Sequence, residues 1–330
     1  MLSFPINQCT DGPAWRHVYP LLLIILAFSV VTEAQTLKRA ADYYNRGLQR
    51  QDQGDIEGAL ADYEEALRLN PNLASAYNNR ANIKLSKGDL DGAIADYSKA
   101  LAIDPKSVEA YFNRGVVCLR KGNYARAIAD FTSSIEIVPE FAMAYNNRGN
   151  ARKGQGDTEG AISDYTKAIE LHPQLTEAYY NRGAAFQNKG LLDEAVHDYS
   201  QALELAPNLV DAYINRGQVR QSKKDFSGAM ADYSKAIELK PNDAGTYYAR
   251  ATLRQANEDL DGAVEDYSRA IVVDPAYATA YASRAVVRTL QGKNAEAVGD
   301  FESAFRLDPA LRETFGEFSE KRLGMKPPNQ

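Results

Sequence analysis

Cysteine is nearly absent. Cys9 and Cys118 are the only two, so neither a disulfide framework nor a thiolate metal site can be assembled. Histidine is as scarce, and His17, His172 and His197 are too scattered to form a cluster. No metal and no other cofactor is expected. Clustered Lys and Arg are also missing from a chain whose net charge is −6. A phosphate-binding surface needs such a cluster, so nucleic acid is not an expected partner. The chain has no G-x-x-x-x-G-K-[ST] loop, no H-E-x-x-H and no G-x-S-x-G. Nothing outside the repeats described below is long enough for a catalytic domain, and no enzyme is expected.

Long apolar runs are absent as well, with one short exception. Leu21 to Val31 is an apolar stretch of 11 residues broken only by Ser29. A membrane-spanning helix needs about 20 such residues, whereas a secretory core needs roughly 7–15. Thr32-Glu33-Ala34 then places small residues where a signal peptidase requires them. Residues 1–34 are therefore expected to be a signal peptide cleaved after Ala34, which sends the chain to the periplasm or outside the cell. The alternative is an uncleaved anchor through residues 18–31. A membrane would be a partner only in that case.

What the chain has in quantity is repetition. Pro71, Pro105, Pro139, Pro173, Pro207, Pro241, Pro275 and Pro309 stand 34 residues apart. With position 1 at Ala40, eight repeats begin at 40, 74, 108, 142, 176, 210, 244 and 278 and run to residue 311 without insertion or deletion. Position 4 is always Tyr, position 20 always Ala, position 8 Gly or Ala, and position 24 Tyr or Phe. Position 27 is Ala in every repeat but the third, which has Ser134. Small residues at 8, 20 and 27 let helices approach, and the rings at 4 and 24 fill the space between them. Gly at position 15 in six repeats marks a turn, and Asp or Asn at position 16 in six can cap the helix that follows. The proline at position 32 ends that second helix. One such hairpin cannot bury its apolar face alone, so neighbours must stack. Leu311, Phe315 and Phe318 fall on one helical face, and residues 312–323 are expected to cap the last repeat. Residues 35–39 are then a short lead-in and 324–330 a tail.

This spacing, with its small-residue positions, resembles the tetratricopeptide repeat over residues 40–311. The resemblance implies an all-α, right-handed superhelical solenoid of antiparallel helix pairs. It also implies a concave face, lined by first helices, that binds other proteins or extended peptides. One departure is systematic. The family usually has Leu at position 7, but all eight repeats here have Arg, from Arg46 to Arg284, and all eight have Asp at position 23, from Asp62 to Asp300. A guanidinium near a packing seam needs a carboxylate, so a ladder of structural ion pairs is expected.

Function is sought on the groove face that the resemblance implies. Position 6 is asparagine in six consecutive repeats, Asn45, Asn79, Asn113, Asn147, Asn181 and Asn215, and then becomes Ala249 and Ser283. An asparagine offers both donors and an acceptor, so the column can pair with the backbone of an extended peptide or with its own scaffold. Position 5 alternates, with Tyr44, Phe112, Tyr180 and Tyr248 in odd repeats, and position 9 answers with Asn82 and Asn150 in even ones. Aromatic and amide bands are thus expected along the groove, the aromatic ones able to anchor a partner. Lys at positions 2 and 5 and Arg at position 6, the basic half of a carboxylate clamp, occur in no repeat, so recognition of a C-terminal carboxylate is not expected. Self-association of the solenoid is the alternative to a foreign partner. Cys118 replaces the usual Arg or Lys of position 11 and is expected to be an inert variant.

Overall fold

The computed structural model describes residues 32, 35, 36 and 38–325. The expected signal peptide, apart from Thr32, and the last five residues lie outside the described residues. Among the described residues no helix is long and apolar enough to cross a membrane.

The described residues form 17 helices and no strand. The chain divides into two units after Gln155. The first holds α1 (residues 38–52), α2 (Ile56–Leu69), α3 (Ala74–Ser86), α4 (Leu90–Ile103), α5 (Val108–Arg120), α6 (Tyr124–Ile137) and α7 (Ala142–Gln155). The second holds α8 (Thr158–Leu171), α9 (Thr176–Asn188), α10 (Leu192–Leu205), α11 (Val210–Ser222), α12 (Phe226–Leu239), α13 (Ala244–Ala256), α14 (Leu260–Val273), α15 (Ala278–Leu290), α16 (Asn294–Leu307) and α17 (Leu311–Leu323). Within each unit the first helix of a repeat packs on its own second helix, and that one packs on the next first helix. This is a solenoid of consecutive helix pairs. First helices also touch across one repeat, α3 with α5, α5 with α7 and α9 with α11, whereas no pair of second helices does so to the same degree. Within each unit, first helices therefore crowd onto the inner side.

The sequence pattern explains each junction. Second helices end two residues before the periodic proline, at Leu69 before Pro71 and Ile103 before Pro105, because a residue preceding proline resists helical geometry. The side chains of Asp55, Asp89, Asn123, Asp157, Asp225 and Asp259 each accept a backbone N–H three residues on, satisfying amides that open a second helix. Position 15 adopts a left-handed backbone. Gly54, Gly88, Gly122, Gly156, Gly190 and Gly292 do so freely, while Lys224 (φ 63°) and Glu258 (φ 62°) are forced into it.

The core lies where the small and large positions meet. Tyr63, Tyr97, Tyr165, Tyr199, Tyr233 and Tyr267, all at position 24, are fully buried beside the alanines of positions 20 and 27. Position 8 must be small because a Cβ on Gly47 or Gly217 would lie 2.7 or 2.8 Å from the ring of Tyr63 or Tyr233. Cys118 is buried with Ala127 and Phe131, and burial pushes its thiol pKa up, which suits an inert side chain. At the far end, Leu311, Phe315, Phe318 and Leu323 pack on Phe301 and Phe305, covering the last repeat. The αL residue Gly324 closes α17.

Candidate partner-binding face

A partner-binding face needs first helices that are held in fixed orientation, and the Arg–Asp ladder does this. Within the units, seven aspartates accept a two-pronged bond from the arginine 16 residues earlier. In the third repeat Arg114 Nε and Nη2 lie 2.9 and 2.6 Å from the two oxygens of Asp130. In the fifth, Arg182 meets Asp198 at 2.7 and 2.9 Å. Arg46, Arg80, Arg216, Arg250 and Arg284 do the same with Asp62, Asp96, Asp232, Asp266 and Asp300. Each of these aspartates is buried. The Arg46 guanidinium holds the Asp62 carboxyl below the usual range. Burial works to raise Asp96, but Arg80 and Lys84 outweigh it and keep that carboxyl low as well.

The ladder also joins repeats, a link that the sequence reading did not foresee. The remaining nitrogen, Nη1, of Arg114, Arg148, Arg182, Arg216, Arg250 and Arg284 donates to the hydroxyl of Ser98, Thr132, Thr166, Ser200, Ser234 and Ser268 in the repeat before. A second cation from position 11 reaches the same carboxylate in several repeats, for example Lys84 at 2.7 Å from Asp96 and Arg220 at 2.8 Å from Asp232. Seven of these guanidiniums further rest on the position-4 rings, as Arg114 does on Tyr111 at 5.7 Å.

A second network, also missed, satisfies the buried tyrosine hydroxyls. Tyr63, Tyr199, Tyr233 and Tyr267 donate to Gln51, Gln187, Gln221 and Gln255 at 2.7–3.0 Å. In the second repeat that glutamine is replaced by Leu85, and Tyr97 donates instead to Asn82 Oδ1. In the third, where Phe131 has no hydroxyl, the position is Leu119. Burial raises the pKa of Tyr63 and Tyr233 to about 12. The sequence carried this signal as a pairing of positions 12 and 24.

The asparagine column bears on this network. Asn79 Nδ2 donates to Tyr44 OH of the preceding repeat at 3.2 Å, and Asn215 Nδ2 to Tyr180 OH at 3.1 Å. Asn113 Nδ2 donates to Asn82 Oδ1 at 3.3 Å. Asn147 Oδ1 lies 3.4 Å from the amide of Asn146. Asn45, which has no earlier repeat, is exposed, and Asn181 and Asn150 are partly buried. In the seventh and eighth repeats the same link is made by hydroxyls, Tyr248 with Ser283 at 3.3 Å. The lapse of the column at Ser283 thus preserves the inter-repeat bond.

The aromatic bands are half buried rather than open. Tyr44, Phe112, Tyr180 and Tyr248 lie with ring centroids 5.5–5.9 Å from the position-24 rings of their own repeats. Phe112 and Tyr248 also meet Phe141 and Tyr277, at 4.8 and 5.2 Å. The outer ends of the helices carry exposed pairs between repeats, Lys87 with Glu57 at 2.6 Å and Lys121 with Asp91. Among the described residues no group of side chains could hold a metal ion.

Comparison with known proteins agrees with this architecture. The family described as "TPR repeat" matches residues 47–86, 81–122 and 149–190. Three descriptions of the tetratricopeptide repeat match 176–209 and 210–243, 108–141, and 248–311. The chain belongs to the tetratricopeptide-repeat family. It is therefore a helical-repeat scaffold of the kind that binds other proteins, and such scaffolds are typically non-enzymatic. A tetratricopeptide repeat protein from Parabacteroides merdae is 20% identical, with a TM-score of 0.56 over 72% of this chain and 94% of that one. PilF of Pseudomonas aeruginosa is 20% identical, with a TM-score of 0.54 over 61% and 92%. Both show the fold. YrrB, described as a TPR protein with an unusual peptide-binding site, is 29% identical over 54% of this chain and 92% of its own, at a TM-score of 0.47. A search among curated proteins found no match.

Proposed function

We propose that the first-helix face binds an extended segment of another protein by its backbone, with the position-6 asparagines as the pairing groups. The observation that carries this reading is the tether on Asn79, Asn113 and Asn215. Each donates one N–H to the preceding repeat, while its Oδ1 accepts no hydrogen bond among the described residues. The scaffold bond fixes the carboxamide and leaves its acceptor for a ligand. A group already held in one rotamer loses little entropy on binding. Each bond is modest, roughly 0.5–1.5 kcal/mol net, so affinity comes from several in series. Backbone pairing makes recognition tolerant of sequence, and Tyr44, Phe112, Tyr180 and Tyr248 supply side-chain preference at their exposed edges. The signal-peptide pattern at residues 1–34 supports action in the periplasm or outside the cell.

The reading is tested by hydrogen exchange on the full chain with a library of capped, unstructured peptides. Added protection confined to α3, α5, α9 and α11 supports it. Protection on the second helices instead, with the first helices unchanged, places binding on the opposite face and removes the asparagines from it.

A further inference from the structure

The second repeat differs from its neighbours at one spot on this face. In the third and seventh repeats, positions 5 and 34 are both aromatic and pack against each other as tilted pairs, Phe112 on Phe141 and Tyr248 on Tyr277. In the second they are Asn78 and Ser107, which cannot fill the same space. A cleft of about 180 Å³ results, lined among others by Tyr44, Asn78, Asn79, Asp104, Ser107 and Glu109.

Its chemistry is lopsided. Asn78 is 93% buried, at 7% exposure, and its Nδ2 donates to Glu109 Oε1 at 2.9 Å. Its Oδ1 is shut from solvent and has no hydrogen-bond partner. An acceptor left in that state is costly, and a donor brought by a guest would relieve it. Glu109 and Asp104 are exposed carboxylates in its lining, and neither forms an ion pair among the described residues. The cleft thus offers a buried carbonyl, two uncompensated carboxylates and hydroxyls, and no cation.

We propose that this cleft between α3 and α5 takes the cationic head of an arginine or lysine side chain from the bound partner. The proposal rests on the peptide-binding reading for the source of that side chain. It adds a charge preference to a groove that otherwise reads backbone. A guanidinium or ammonium supplies several donors at once, enough to meet both the Asn78 carbonyl and the Glu109 carboxylate. Aromatic filling of the equivalent space excludes the third and seventh repeats from this preference.

Two measurements separate this proposal from the reading beneath it. In the first, N-ethylguanidinium is titrated into the full chain while the backbone amides of Asn79 and Ser107, which line the cleft, are followed by NMR. A saturable shift, weakened by salt and lost in Glu109→Gln and in Asn78→Ile, supports the cleft. Both variants should fold, because Glu109 is exposed and Ile214 already stands at position 5 of the sixth repeat. No shift of these amides, or one that persists in both folded variants, overturns the cleft whatever peptides do. In the second, capped peptides that differ only in a central arginine or norleucine are compared. Binding about tenfold tighter for arginine, lost in Glu109→Gln, supports the proposal. Equal binding of the two overturns the charge preference and leaves the groove standing. Binding of neither peptide, together with the N-ethylguanidinium shift, overturns the peptide-binding reading alone.

Discussion

Removing one arginine of the ladder should cost more in the third repeat than in the sixth. Asp130 has a single cationic partner, because position 11 of its repeat is Cys118. Its side chain is 4% exposed and that of Arg114 is 13% exposed. Arg114→Ala therefore strands a buried carboxylate and also breaks the bond to Ser98. Breaking a buried pair from one side costs about 3–5 kcal/mol. Asp232, by contrast, has both Arg216 at 2.7 Å and Arg220 at 2.8 Å. Arg216→Ala leaves it one charge-assisted bond, worth about 1.5–3 kcal/mol, so the loss there should be about 2 kcal/mol. Urea titration followed by circular dichroism measures both, and a solenoid needs the slope checked as well as the midpoint. The cycle Arg114→Ala, Asp130→Ala and the double variant isolates the pair, and the double variant should cost little more than either single one. Equal losses in the two repeats, or losses below about 0.5 kcal/mol, the size of an ordinary surface effect, would show that Asp130 does not depend on its single cation.

Lys224→Gly and Glu258→Gly should each stabilise by about 1 kcal/mol, since both residues hold the left-handed turn that glycine takes in six repeats. Thermal unfolding would detect this, and a lowered midpoint would count against it. Stability should be flat near neutrality and fall at both extremes. Asp62 and Asp96 titrate lower folded than unfolded, so their contribution is present above the ordinary value of 3.8 and is lost as pH falls below it. Tyr63 and Tyr233 titrate at about 12 when folded, so theirs is present below 10 and is lost as pH rises from 10 towards 12. Urea midpoints across pH check both limbs. Cleavage after Ala34 would remove Trp15, the only tryptophan, so the natively produced protein should show tyrosine emission alone and an intact mass lacking residues 1–34.

The helices were legible because proline, glycine and capping aspartate recur at fixed positions, and each acts through its own backbone or its neighbour's. The 16-residue Arg–Asp pairing was legible because both columns are invariant within the chain. What joins repeat to repeat was harder to read. The bond from Arg114 to Ser98 runs backwards to a column that holds Ser, Thr or, before Arg80, Glu64, so no constant residue announces it. The acceptor for Tyr97 moved from position 12 to position 9, which only the burial of the hydroxyl explains. The asparagine column stood out, but its second role, the tie from Asn79 to Tyr44, depends on how far one first helix lies from the next. The cleft at Asn78 and Ser107 needed that geometry too, since the two residues are 29 positions apart.

If the tethered asparagines pair with a ligand's backbone, removing them must weaken binding. The direct measurement is the affinity of a capped peptide for wild type and for Asn79→Ala and Asn113→Ala combined, both in the first unit. Circular dichroism and urea titration would run alongside, and Ala249 shows that alanine is accepted at this position. The expected result is a folded variant whose binding is weaker by at least about fivefold, from two bonds of roughly 0.5–1.5 kcal/mol each. A folded variant that binds as tightly as wild type would contradict it and leave these asparagines as ties between repeats alone.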